Sequence, residues 1–124
     1  MSDKIKKILI IDDDEDYQTL LSALLTLDGY ETFTAYNPLD GIDILEKERP
    51  DLIIMELMLP YFEGTRFIDW LEEENRHAIP ILIITSLNRH EGTKTAEAAN
   101  VKEILFKPSH RTDILYKIKN ILRE

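Results

Sequence analysis

Short apolar runs recur along this chain at Ile8–Ile11, Leu52–Met55 and Ile81–Ile84, each four residues long. Runs of that length, rich in β-branched residues and without a polar face, read as strands buried on both sides. Between them the pattern changes to a helical one. Tyr17, Leu20, Leu21 and Leu24 recur at helical spacing and stop near Gly29, a natural C-cap. Residues Tyr30–Tyr36 read as a second strand. Asn37 and Pro38 look like an N-cap followed by proline at the first helical position, and Leu39, Ile42 and Leu45 then form one apolar stripe that Pro50 ends. Phe67, Ile68 and Leu71 mark a helix from about Thr65. Pro80 precedes the strand Ile81–Ile84, and Glu91–Ala99 is a small-residue helix with Asn100 as its left-handed cap. Ile104–Phe106 reads as the fifth strand. Ile114, Leu115, Ile118, Ile121 and Leu122 mark a last amphipathic helix.

Five strands alternating with five helices imply a parallel sheet covered on both faces. Right-handed crossovers leave few topologies. The expected fold is a flavodoxin-like, doubly wound α/β sheet of five strands in the order 2-1-3-4-5, as one domain over residues 1–124. In that order the chain switches direction between strands 1 and 3, and ligands sit at the carboxyl ends of the strands flanking the switch. Composition agrees: 44% of residues are hydrophobic, enough for a core, and there is no cysteine for a disulfide or thiolate site. The net charge of −9 speaks against direct nucleic-acid binding and suits cations or basic partners. Apolar runs of four residues fall far short of a membrane span. A cytoplasmic protein is expected.

The residues that end the strands are chemically selective. Strand 1 ends in Asp12, Asp13 and Asp14, strand 3 in Glu56, strand 4 in Thr85 and Ser86, and strand 5 in Lys107 followed by Pro108. Clustered carboxylates repel unless a cation sits among them. Carboxylates with a backbone carbonyl and waters suit a hard ion such as Mg²⁺. A hydroxyl and an ammonium beside that ion suit phosphoryl oxygens. Together they make a site for metal-assisted phosphoryl chemistry on a carboxylate. Asp14 reads as the cap of the following helix. Asp12 and Asp13 exceed what capping needs.

With these residues in place the chain resembles the receiver domain of two-component response regulators. The likeness rests on ILIIDDDED (8–16), DLIIMELMLP (51–60) with Gly64, IITS (83–86) and LFKP (105–108). It implies that Asp12, Asp13, Glu56 and the Met58 carbonyl bind Mg²⁺, weakly if Glu56 turns toward Lys107 instead. It further implies that Thr85 and Lys107 contact the phosphoryl group and that the Lys107–Pro108 bond is cis. Pro60 and Gly64 match the loop after strand 3. The family's phosphoacceptor is aspartate, and Glu56 stands in its place. Ile104 occupies a position where the family carries an aromatic residue that moves on activation. Tyr61, Glu63 and Asn100 are milder departures, and the aromatic pair Tyr61–Phe62 reads as packing or contact surface.

Glutamate adds one methylene, which moves the carboxylate by about 1.5 Å. Ordinary phosphotransfer should then be badly impaired, while the longer side chain can reach Lys107 or Thr85 and partly imitate a phosphorylated aspartate. The expected function is therefore a receiver that is atypical or phosphomimetic, an interaction module and not an enzyme. A second reading keeps a working receiver that takes a phosphoryl group at Glu56 or another acid, and a third treats Glu56 as an engineered phosphomimic in an ordinary receiver. The expected partners are a histidine kinase or phosphotransfer protein, and an output domain or downstream protein. The latter is met through the face of helix 4, strand 5 and helix 5, around Lys94, Ile104, His110 and Tyr116, and a homodimer is left open.

Overall fold

The computed structural model describes residues 4–59, 62–73, 79–99 and 101–123. Pro60, Tyr61 and Asn100, singled out above, lie outside the described residues. The elements run β1 (Lys7–Ile11), α1 (Glu15–Leu27), β2 (Glu31–Ala35), α2 (Pro38–Glu48) and β3 (Leu52–Met55), followed by the two-residue strands β4 (Met58–Leu59) and β5 (Phe62–Glu63). Then come α3 (Gly64–Glu73), β6 (Ile81–Thr85), α4 (Arg89–Ala98), β7 (Ile104–Phe106) and α5 (Arg111–Leu122). The large sheet is parallel in the order β2-β1-β3-β6-β7. That is the expected order, once the short antiparallel pair β4–β5 is counted apart. This pair gave no warning in the sequence, because two residues are too few to show a period.

Alternate residues of each central strand feed two cores. Leu9, Ile11, Ile53 and Met55 face one side with Leu45, Phe67 and Ile68. Ile8, Ile10, Leu52 and Ile54 face the other with Leu21, Leu25, Ile114 and Ile118. This two-sided burial is why the strands read as continuous apolar runs. Helix ends follow local chemistry. Asn37 Oδ1 accepts the Asp40 N–H at 2.9 Å ahead of Pro38, and Gly29, past the end of α1, takes φ +96, a region that L residues rarely enter.

Two positions depart from expectation. Leu20 and Leu39 were read into the apolar stripes but are 71% and 66% exposed. The buried face of α1 is Gln18, Leu21 and Leu25, at i, i+3 and i+7, and Leu20 lies on the opposite side. The buried face of α2 is Pro38, Gly41 and Leu45. Among the described residues no helix is long and apolar enough to cross a membrane.

Gly41 brings α2 close to the sheet, since a Cβ built there would lie 2.7 Å from Ile11 Cδ1 and 3.2 Å from its Cγ1. Ile11 is completely buried in the core with Leu9, Ala35 and Leu45, so its side chain can move only by repacking them. Gly41→Ala therefore gains helix propensity of about 1 kcal/mol and loses more to overpacking, of order 1–3 kcal/mol. A net loss of about 1 kcal/mol is expected in urea unfolding; a gain would show that α2 can lift off β1 freely.

Candidate functional site

Lys107 is where the strand ends meet. Its ammonium lies 2.7 Å from Asp12 Oδ2 and 3.4 Å from Glu56 Oε1. β1 delivers Asp12, β3 delivers Glu56 and β7 delivers Lys107. The Lys107 N–H also donates to the Thr85 carbonyl at 2.8 Å, which ties it to the end of β6. The Lys107–Pro108 bond is cis.

Asp12 is 2% exposed. Its Oδ1 accepts the Asp14 N–H at 2.9 Å. Its backbone is pinned as well: the Asp12 N–H donates to the Ala35 carbonyl at 3.1 Å, and Gln18 Nε2 donates to the Asp12 carbonyl at 2.7 Å. The same Gln18 amide donates to the Ala35 carbonyl. Asp13 is exposed at the mouth of the site. Asp14 caps α1, its Oδ1 accepting the Tyr17 N–H at 3.1 Å, as its place before the helix implied.

Glu56 is also 2% exposed, and both its oxygens are engaged. Oε2 accepts the N–H groups of Leu57 at 2.8 Å and Met58 at 3.2 Å. Oε1 accepts the Ser86 N–H at 2.9 Å and the Ser86 hydroxyl at 3.0 Å, and faces Lys107. A carboxylate offers about four lone-pair sites, so little capacity remains. Thr85 is fully buried, and its Oγ1 accepts the Leu87 N–H at 3.1 Å. A cavity of about 630 Å³ opens over this floor, lined by all three aspartates, Glu56, Met58, Ser86 and Lys107 among others.

The two buried acids are tuned in opposite directions. For Asp12, burial is the largest influence and raises its pKa above the ordinary 3.8, against the Lys107 hydrogen bond and the Asp14 N–H; the Glu56 charge adds to the rise. Burial also pushes Glu56 up. There the Thr85 hydroxyl, the Ser86 and Met58 N–H groups and the Lys107 charge together outweigh it, and the carboxyl ends below its ordinary 4.5. Glu56 is thus the settled anion and Asp12 the uncomfortable one.

The structure therefore brings together Asp12, Glu56, Thr85 and Lys107, and sets Asp13 and Met58 at the rim of the same cavity. Two contributors, Tyr17 and Gln18, were not read from the sequence as site residues, and the part played by a third was not foreseen. Ser86 was noted with Thr85, but its paired N–H and O–H grip on Glu56 depends on the turn geometry after β6. Tyr17 was read as a core residue, yet its ring lies under the Lys107 ammonium, 4.1 Å from Nζ to centroid. Gln18 interrupts an apolar face, and that interruption was the available signal.

Comparison with known proteins places the chain in a family. The family model described as the response regulator receiver domain matches residues 8–119. The chain is 30% identical over 118 residues to the alkaline phosphatase synthesis transcriptional regulatory protein PhoP of Bacillus subtilis, covering 95% of this chain and 49% of that protein. It is 29% identical over 119 residues to the sporulation initiation phosphotransferase F of the same organism, covering 94% of each. A crystal structure of a putative response regulator from Chloroflexus aurantiacus superposes with a TM-score of 0.89 at 26% identity, over 98% of this chain and 100% of that one. The chain spans about half the length of several transcriptional regulators that it matches.

The depressed Glu56 has a pH signature. A carboxyl whose folded pKa lies below its unfolded value contributes stability that is present above the unfolded value and is lost as pH falls through the folded one. Glu56→Gln sets an amide NH₂ against N–H donors, and at neutral pH it should cost about 2 kcal/mol. The gap to the parent should close below pH 4.5 as Glu56 itself protonates. Asp12, with its raised pKa, acts oppositely, favouring the fold below 3.8 and losing that contribution as pH rises through its folded value. Asp12→Asn should therefore be no less stable than the parent at pH 7. Denaturant titrations of both variants at several pH values check this.

Proposed function

The chain belongs to the response regulator receiver domain family of two-component signalling, and we propose that within it this chain is an atypical receiver, held in one state by Glu56 instead of switched by phosphorylation. Receivers are signalling modules that work with histidine kinases and phosphotransfer proteins, and a partner of that kind is proposed here too. The observation that carries the reading is the engagement of Glu56. Its two oxygens take up the N–H groups of Leu57, Met58 and Ser86, the Ser86 hydroxyl and the Lys107 ammonium. Preorganised donors of this kind are what a phosphoryl group on a shorter acid would need.

In-line attack on phosphorus needs close placement, and a shift of about 1 Å can cost on the order of 100-fold in rate. A carboxylate already held by that many donors is also a poor nucleophile, because each bond must be given up first. As an imitation of the phosphorylated state Glu56 is partial. It brings one charge and two oxygens, where a phosphoryl group brings about −2 and three.

The donor set at the rim is all oxygen, which fits a divalent cation such as Mg²⁺ in kind. Asp12, Asp13 and the Met58 carbonyl would hold it. When bound, it would supply positive charge against phosphoryl oxygens. Binding is expected to be weak, because both Asp12 oxygens already accept Lys107 and the Asp14 N–H. The proposed output surface is the face of α4, β7 and α5, where Tyr116 is 68% exposed and Arg89 stacks over the Phe106 ring at 4.8 Å. An output domain, a downstream protein or a second copy would meet it there. Ile104, half-buried on β7, provides no aromatic ring to swing inward.

Shortening the acid tests the reading. Glu56→Asp, incubated with Mg²⁺ and a small acyl phosphate, should gain the mass of one phosphoryl group, and lose that gain again with Asp13→Asn or Lys107→Ala added. In the reaction the Asp oxygen bonds to phosphorus while the donor's acyl oxygen leaves. The parent should keep its mass under the same conditions. A phosphoryl group mapped to Glu56 in the parent would overturn the proposal.

A further inference from the structure

Four groups close a circuit around the acidic end of β1. Asp14 donates its N–H to Asp12 Oδ1 at 2.9 Å, and Asp14 Oδ1 accepts the Tyr17 N–H at 3.1 Å. The Tyr17 ring lies 4.1 Å from the Lys107 Nζ, and Lys107 returns to Asp12 Oδ2 at 2.7 Å. We propose that Tyr17 is a positioning residue for Lys107: its ring holds the ammonium against Asp12 and Glu56, in competition with any divalent cation for those carboxylates.

An ammonium within about 6 Å of a ring centroid is attracted to the π-face, and more strongly once it is removed from water. The Lys107 side chain is 16% exposed, so water competes little. The Tyr17 hydroxyl is buried and has no hydrogen-bond partner among the described residues. A tyrosine kept for its hydroxyl would have that group paired. Here the ring makes the contact. Its backbone is held by the Asp14 cap, and its side chain packs against the core that contains Leu21 and Ile84, which restrains the ring beside the lysine. A lysine carried on a flexible stem would otherwise sample many rotamers. The consequence falls on the metal. Asp12 is shared between Lys107 and the proposed cation, and whatever anchors Lys107 weakens cation binding.

This proposal rests on the receiver reading of the site, but its test can fail separately. Tyr17→Phe keeps the ring and removes the unpaired hydroxyl, while Tyr17→Leu keeps apolar bulk and removes the ring. The Lys107 Hε protons should be shifted upfield by the ring current in the parent and in Tyr17→Phe, and should return toward ordinary lysine values in Tyr17→Leu. In an NMR titration with MgCl₂ alone, Tyr17→Leu should bind about three- to tenfold more tightly than Tyr17→Phe, the range a partly desolvated cation–π contact implies. Ordinary Lys107 shifts in the parent, or equal Mg²⁺ affinity in the two variants, would overturn the proposal. The parent's shift needs no mutation, so a poorly folding Leu variant still leaves a decisive measurement. Phosphorylation of the parent at Glu56 would sink the atypical-receiver reading, while the Lys107 shifts, recorded on the unphosphorylated protein, would still decide this proposal.

Discussion

One ammonium reconciles two buried carboxylates at the ends of different strands. Removing an isolated charge from water costs several kcal/mol even after relaxation, and Asp12 and Glu56 are each 2% exposed. Lys107 alone cannot neutralise both. The remainder is spread over the N–H groups of Leu57, Met58 and Ser86, which are fixed dipoles that need no reorganisation. The parallel sheet makes this possible. With β1 and β3 adjacent and β6 and β7 following in order, every strand points its carboxyl end at the same rim.

The shared cation does not treat the two acids alike. Glu56 collects most of the donors and settles as an anion, whereas Asp12 has a close lysine, a single N–H and a neighbouring negative charge. A group kept ionised against its environment stores free energy that a ligand can release. That imbalance is the usual mark of a site built for something other than stability. Glu56 occupies the N–H groups of Leu57, Met58 and Ser86 that line the floor of the cavity.

Much of the architecture was legible because burial on both faces leaves a plain trace, as in Ile8–Ile11 and Leu52–Met55, and because caps such as Asn37 and Asp14 act through their nearest neighbours. The placing of Asp12, Glu56, Thr85 and Lys107 at one rim followed from strand order. What stayed hidden depends on angles. Leu20 looked like core, since a leucine at helical spacing does not say which way its face turns. The pairing of Met58–Leu59 with Phe62–Glu63 is too short for any period. Tyr17 under Lys107 joins residues 90 positions apart (107 − 17) by a contact that no local pattern encodes.

Gln18 gives both amide protons to carbonyls, one on Asp12 and one on Ala35, and so rivets the first turn of α1 to the ends of two neighbouring strands. Both partners are acceptors, which fixes the orientation of the amide. Glutamate has nearly the same shape, yet it would face two oxygens with two oxygens. At this corner polarity, more than volume, is the quantity under constraint. A substitution table that scores glutamine and glutamate as near-equivalents would misjudge this position, where the exchange removes both bonds that tie helix to sheet.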